Sequence, residues 1–271
     1  MICFPTAKIN LGLRVMERRP DGFHTIETVF YPIGLKDALE VVPAPENEVF
    51  DLTVTGTQEV IDLEANLVTK AYRLLASMRP ISPIKAYLHK SIPSGAGLGG
   101  GSADAAYMLT LLNDSLDLGF SRERLLELAG QLGADCPFFL INKPLYATGT
   151  GSTFSDCPLS LSGYHLVLIK PAVSIPTAAA YKAITPALPA VSVKDIVQNP
   201  VREWKNNLVN DFEPYAISQH PVIGAIKQRL YEEGALYASM TGSGSAVFGL
   251  FDQAVDLSTV FKEAFYWYEK L

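Results

Sequence analysis

Pro93-Ser94-Gly95-Ala96-Gly97-Leu98-Gly99-Gly100-Gly101-Ser102-Ala103 is the stretch on which the fold turns. Five of the seven residues from 95 to 101 are glycine, so side chains are nearly absent from a turn that opens a helix. Backbone N–H groups exposed in this way, together with the positive end of the helix dipole, favour a polyphosphate. Gly95, Gly97 and Gly100 also satisfy G-x-G-x-x-G, but the regular βαβ rhythm of a dinucleotide-binding sheet is missing around them. A Walker A loop needs Lys and then Ser or Thr after its last glycine; here Gly101 and Ser102 follow Gly100, so this is not a P-loop. The stretch lies between an apolar strand and an Ala-rich helix, which argues against a flexible linker.

Outward from the loop, residues 85–92 read as the incoming strand and about Ser102 to Leu112 as the outgoing helix. Further on, Ser121 suits an N-cap for a helix that Gly133 ends. After Asp135, CPFFL leads into a helix or a strand. On the N-terminal side, Ala7, Ile9, Leu11, Leu13 and Val15 alternate with Thr6, Lys8, Asn10, Gly12 and Arg14, the period of a strand with one buried face. Arg18-Arg19-Pro20-Asp21-Gly22 is a turn; strands are expected at 23–33 and 49–55 and a helix at 65–79. The composition shifts to Gly, Ser, Thr and Pro around 144–163, which places a domain boundary there and gives domains 1–155 and 156–271. Beyond it, 164–170 reads as a strand, 171–193 as at most a short helix, 221–233 as a helix, and 235–251 as strand, Gly-Ser loop, strand. Phe261, Ala264, Phe265 and Tyr268 at helical spacing predict a closing helix. Strands and helices without strict alternation indicate an α+β class.

Of 271 residues, 48% are hydrophobic and 18% charged, enough apolar mass for a normal core and too much for a disordered chain. Lys and Arg total 22 against 28 Asp and Glu, a net charge of −6. That balance gives no overall pull toward nucleic acid or anionic lipid, and neither partner is expected. Cys3, Cys136 and Cys157 show no C-x-x-C pair and no metal-ligand spacing, so free thiols in a reducing compartment are expected. No signal peptide and no spanning helix are read, giving a soluble, cytoplasmic protein. A monomer and a weak homodimer fit equally well.

On spacing alone, Asp135 is an ordinary helix-start residue as readily as a base, and Lys8 a solvated strand lysine. Cys136 is read as a small buried hydrophobe rather than a nucleophile, for want of a His partner.

The loop resembles the phosphate-binding motif of the GHMP kinases. Three further segments agree in order: Ala7-Lys8-Ile9-Asn10-Leu11 with Asp21-Gly22-Phe23-His24 after it, Gly133-Ala134-Asp135-Cys136-Pro137-Phe138-Phe139, and Ser239-Met240-Thr241-Gly242-Ser243-Gly244-Ser245-Ala246-Val247-Phe248-Gly249. The resemblance implies a two-domain fold, with an N-terminal ribosomal-protein-S5-like α/β domain and a C-terminal ferredoxin-like α+β domain. It implies ATP with Mg²⁺, held through Pro93, Ser94, Gly95, Ala96, Gly97, Leu98, Gly99, Gly100, Gly101, Ser102 and Ala103. No carboxylate cage for the metal is readable. Three glycines after Leu98 point to the branch that phosphorylates the 2-hydroxyl of a cytidine-diphosphate methylerythritol in the mevalonate-independent isoprenoid route. There Asp135 is the base and Lys8 its partner. Asn10, Phe23, His24, Thr177 and Tyr181 bind the substrate: Phe23 and Tyr181 sandwich cytosine, His24 reads its edge, and Thr177 contacts the ribose or diphosphate side. The family commonly has Tyr where this chain has Phe23, so a hydroxyl is lost. Asn66 and Lys90 are expected at the adenine side, and Gly242 and Gly244 near the substrate phosphates. A kinase for homoserine or mevalonate is the alternative within the family, and a nucleotide sensor without catalysis the alternative outside it.

Overall fold

In the computed structural model, described for residues 1–47, 50–57 and 62–271, the chain runs as follows. It begins with β1 (Ile2–Cys3), β2 (Thr6–Arg18), β3 (His24–Lys36), β4 (Ala38–Pro43), β5 (Phe50–Thr55), α1 (Leu67–Ala76) and β6 (Ile84–His89). Then come α2 (Gly100–Ser115), α3 (Arg122–Leu132), α4 (Cys136–Ile141), β7 (Leu145–Thr148), β8 (Thr153–Asp156) and β9 (His165–Lys170). The C-terminal part holds α5 (Thr177–Ala183), α6 (Val193–Ile196), a 3₁₀ turn (Val201–Glu203), α7 (Glu213–Gln219), α8 (Pro221–Glu232), β10 (Tyr237–Met240), β11 (Val247–Phe251) and β12 (Phe265–Lys270).

The residues gather into two compact units, and neither is a continuous span. The first holds 1–7, 35–94 and 99–142; the second holds 8–34, 95–98 and 143–271. The Gly- and Ser-rich stretch around 144–163 holds the β7–β8 hairpin, which extends the sheet β2-β3-β7-β8. That pairing draws the N-terminal strands in with the C-terminal residues.

In the first unit the sheet has the order β1-β4-β6-β5, with β5 parallel to β6 and the other pairs antiparallel. Helix α1 starts where Asn66 accepts a hydrogen bond from Val68 N–H at 2.9 Å. It buries Val68, Ala71, Tyr72 and Leu75, one face at helical spacing. Each such apolar side chain taken from water contributes about 1.5–3 kcal/mol. These residues join Leu39, Val41, Leu88, Met108, Leu109 and Leu128 in one core. Ser121 caps α3 through Arg124 N–H at 3.2 Å, and Gly133 ends it as expected. Gly133 has an extended φ of 174° that any residue adopts. A Cβ at position 133 would make a tight contact, 3.3 Å from Cys136 Sγ.

The second unit contains β2-β3-β7-β8 and an antiparallel sheet of order β10-β11-β9-β12. Val167, Ile169, Ile223, Ile226, Leu230 and Val247 form the core between that second sheet and its helices. The closing helix is not formed. Residues 265–270 are a strand, antiparallel to β9 from Phe265–Lys170 to Lys270–His165. The helical spacing of four residues concealed the run Phe265-Tyr266-Trp267-Tyr268, whose aromatic side chains favour a pleated surface, and β9 offers the edge that completes its ladder. Strand β2 also departs from the one-faced pattern. Its polar residues Thr6, Lys8 and Asn10 are as buried as its apolar ones, and buried polar groups need partners.

Candidate active site

In the glycine-rich segment φ is positive at Gly95 (59°), Gly97 (76°) and Gly99 (73°), while Ala96 and Leu98 keep the ordinary negative sign. Backbone that alternates between the two hands is the pattern from which an anion nest is built. The carbonyls are used on the other side. Gly95 O accepts from Ser245 N–H at 3.3 Å, Ala96 O from Ala246 N–H at 3.2 Å, and Leu98 O from Lys8 N–H at 3.0 Å. Gly97 O accepts from the Lys8 ammonium at 2.9 Å and from Thr241 Oγ1 at 3.1 Å. Ala96 and Leu98 are buried and hold the segment down. A Cβ at Gly97 would stand 2.0 Å from the carbonyl oxygen of Thr241, so only glycine allows this approach.

The C-terminal glycine motif thus lies against the glycine-rich segment itself. Gly242 (φ 56°) would place a Cβ 3.1 Å from Gly97 Cα. Asn210 fixes its shape by donating to Met240 O at 2.8 Å and Gly242 O at 2.9 Å.

Lys8 is buried with its ammonium 2.6 Å from Asn10 Oδ1. The Asn10 amide donates to Thr28 Oγ1 at 3.0 Å and accepts from Thr241 Oγ1 at 3.2 Å. Three of its four hydrogen-bonding positions are thereby taken within the protein. Asn10, expected at the substrate, bonds the Lys8 ammonium within the protein.

In the first unit, Gly99 with its positive φ precedes α2, and no side chain caps that helix. The N–H groups of Gly100, Gly101 and Ser102 then form its open positive end. Ala103 is buried and its N–H bonds Gly99 O at 2.9 Å, so it carries the helix rather than offering an amide. Asp135 is half-buried at the start of α4, where Cys136 takes the first helical position and Pro137 the second. Its side chain caps no amide of that helix. Burial pushes the Cys136 thiol up to about 11, with the Ser102 hydroxyl drawing it down; a thiol so protonated is no nucleophile. Cys3, Cys136 and Cys157 are all free.

The aromatic residues are in the second unit. The turn before β3 is closed by Asp21, which accepts from Phe23 N–H at 3.1 Å. Arg19 beside it holds the Asp21 carboxyl below the usual range. Phe23 is left 64% exposed, a bare ring suited to stacking. Tyr181 on α5 is not bare: His24 stacks on it with centroids 4.9 Å apart and planes 23° apart, and Phe212 meets it edge-on at 4.8 Å. Of the two rings read as a cytosine sandwich, Tyr181 is therefore covered by His24 in this structure and Phe23 is bare. Thr177 is exposed and shares a hydrogen bond with Ser243 at 2.9 Å.

Two residues expected at the adenine are engaged in structure. Asn66 caps α1. Lys90 is buried between Asp37 and Asp104, bonded to both.

A family model described as the GHMP kinases N terminal domain matches residues 66–143, and one described as GHMP kinases C terminal matches 192–266. A protein of Parabacteroides distasonis, named 4-diphosphocytidyl-2-C-methyl-D-erythritol kinase, is 52% identical over 269 residues, 98% of each chain. One of Bacteroides thetaiotaomicron with the same name is 53% identical over 253 residues, 93% of this chain and 92% of that one. The chain belongs to the GHMP kinase family. A crystal structure of a 4-(cytidine 5'-diphospho)-2C-methyl-D-erythritol kinase superposes with a TM-score of 0.84 at 31% identity, covering 99% of this chain and 98% of the other. The Methanococcus jannaschii mevalonate kinase, at 11% identity and a TM-score of 0.71 over 99% of this chain and 96% of that one, shares the fold. The α+β class and the two-domain GHMP kinase fold read from the sequence are those found.

In this GHMP kinase, sequence reasoning missed Thr28, Asn210, Asp37 and Asp104. Thr28 and Asn210 lie in segments with no motif. Thr241 stood inside a quoted motif, yet its bond to Gly97 joins positions 144 residues apart, which no local pattern announces.

Proposed function

We propose that this GHMP kinase transfers the γ-phosphoryl of ATP to the 2-hydroxyl of 4-diphosphocytidyl-2-C-methyl-D-erythritol, in the non-mevalonate route to isoprenoid precursors. The alternating hand of residues 95–99 carries the ATP side of this reading. The near-full-length likeness to kinases of that name carries the acceptor.

Transfer breaks the bond between the γ-phosphorus and its bridging oxygen and forms one to the acceptor oxygen, while the hydroxyl proton leaves. In this reading the N–H groups of residues 94–102 hold the β- and γ-phosphates, and Asp135 receives the proton. The Lys8 ammonium, oriented by Asn10 and Gly97 O, polarises the hydroxyl. Mg²⁺ would arrive with the nucleotide: it keeps several waters and suits phosphate oxygens, and Ser102 in the first turn of α2 is the side chain that would reach it. Bound, it neutralises phosphate charge.

Cytosine would lie on Phe23, and the His24 ring would have to leave the face of Tyr181 for a second stack. Phe23→Ala and Tyr181→Ala are each expected to raise KM for the cytidine substrate roughly 5- to 100-fold, the value of one stacked face, with KM for ATP unmoved. Steady-state kinetics with each substrate varied in turn check this; unchanged affinity in both variants would reject the stacking.

An ADP-release assay tests the whole reading. Turnover is expected with the cytidine-diphosphate alcohol and none with homoserine or mevalonate. A preference for either small alcohol would move the assignment elsewhere in the family.

A further inference from the structure

In the first unit, a buried ionic cluster stands at both ends of the glycine-rich segment. The Lys90 ammonium bonds Asp37 Oδ2, and lies 2.6 Å from Asp104 Oδ2. The three side chains are only 10%, 0% and 4% exposed. The other Asp37 oxygen accepts from the N–H groups of Ser91 at 2.6 Å and Ile92 at 2.8 Å, the residues that lead into Pro93. Asp104 is on the second turn of α2, just past the segment's exit. Between them, Gly100 comes so close that a Cβ there would be 3.2 Å from Lys90 Nζ. One ammonium thus joins the entry of the segment to its exit, directly beneath the first turn of α2.

The charges matter as much as the geometry. Two carboxylates and one ammonium sit under a helix end that, in the reading above, receives a triphosphate. Burial pushes the Asp104 carboxyl up to about 7, against the pull of Lys90. Removing the ammonium would leave two buried carboxyl groups without their shared cation, a strongly unfavourable arrangement.

We infer that Asp37, Lys90 and Asp104 form a clasp that fixes both ends of the phosphate segment and screens bound phosphates from the two carboxylates. All three are positioning residues that act on ATP through the backbone of residues 91–102. Lys90 on this account does not grip the adenine ring; its ammonium is committed to two carboxylates. The inference rests on the reading that residues 93–103 hold ATP.

The test uses the full-length protein, with two variants and two probes. Lys90→Met removes the ammonium. Asp37→Asn keeps the shape and one acceptor oxygen but removes one charge, and serves if Lys90→Met does not fold. KM for ATP is measured beside Ki for inorganic tripolyphosphate, which has phosphates and no base. The clasp predicts that both rise together, roughly 10-fold or more in Lys90→Met and less in Asp37→Asn, with KM for the acceptor alcohol unchanged. A rise for ATP without one for tripolyphosphate would place Lys90 on the adenine and overturn the clasp. A lowered Tm with neither constant moved would reduce the cluster to a structural one and overturn it too. Should the wild-type protein fail to turn over ATP, the functional reading falls, while tripolyphosphate binding by calorimetry still reports on the clasp.

Discussion

An Asp135→Asn variant is expected to fold, to bind ATP as the parent does, and to lose turnover by roughly 10²–10⁴-fold, the usual contribution of a positioned base. The fold should survive because the Asp135 side chain caps no amide of α4, and Asn matches its size. The first turn of α4 is set by Pro137 and by the bond from Phe138 N–H to Asp135 O at 3.2 Å, which Asn keeps. What the substitution removes is the capacity to take a proton. Lys8 remains beside Gly97 and Asn10, so orientation of the acceptor hydroxyl is retained while proton transfer is lost. Single-turnover ADP release with ATP and the cytidine substrate measures the defect; ATP titration by calorimetry shows whether binding is intact. Near-normal turnover would mean that the proton goes elsewhere, and the catalytic role assigned to Asp135 would be withdrawn.

The second large effect is expected at Gly97. Ala at that position meets two separate penalties. The φ of 76° is one that L residues adopt at about 1–2 kcal/mol. The added methyl would also collide with a backbone oxygen, Thr241 O, at 2.0 Å. Backbone cannot swing aside as the end of a side chain does, so either Thr241 or residues 95–98 must shift. A shift of the segment misplaces the Gly97 carbonyl that receives Lys8 and Thr241, along with the amides that face the phosphates. Gly97→Ala should lower Tm by several degrees and raise KM for ATP at least about 10-fold, in line with a strain-plus-packing change. Gly119→Ala is the control: its φ is 73°, but nothing lies within 4 Å of the new methyl. It carries the conformational penalty alone and should leave KM for ATP unchanged. Equal behaviour of the two variants would show that the approach of Thr241 to Gly97 has no bearing on nucleotide binding.

Much of this architecture could be read from local patterns. The Ser121 cap, the Gly133 stop, the first strand and the helix after the glycine loop all depend on neighbours a few residues away, and all were found. The closing helix was misread because four aromatic and small residues matched a helical period by chance; which period wins was decided by the open edge of β9, out of reach of any local window. Strand β2 shows a second limit. Alternation identified it as a strand, but Lys8 and Asn10 on its polar side looked solvated, because Thr28, Gly97 and Thr241 are distant in sequence. The same holds for Lys90, where residues 53 and 14 positions away supply its carboxylates. Local elements that rest on neighbouring residues were legible, and side-chain partners contributed by another part of the chain were not.

The hydrogen bonds that shape residues 95–98 come from Lys8 near one end of the chain and from Thr241, Ser245 and Ala246 near the other. Such long-range closures form late and slowly relative to local helices. On an emerging polypeptide, then, the shape of this segment stays unfinished until the ribosome has released residues well past 246. A nascent chain that stops short of residue 241 carries the glycine motif without the hydrogen bonds that hold residues 95–97 in this shape.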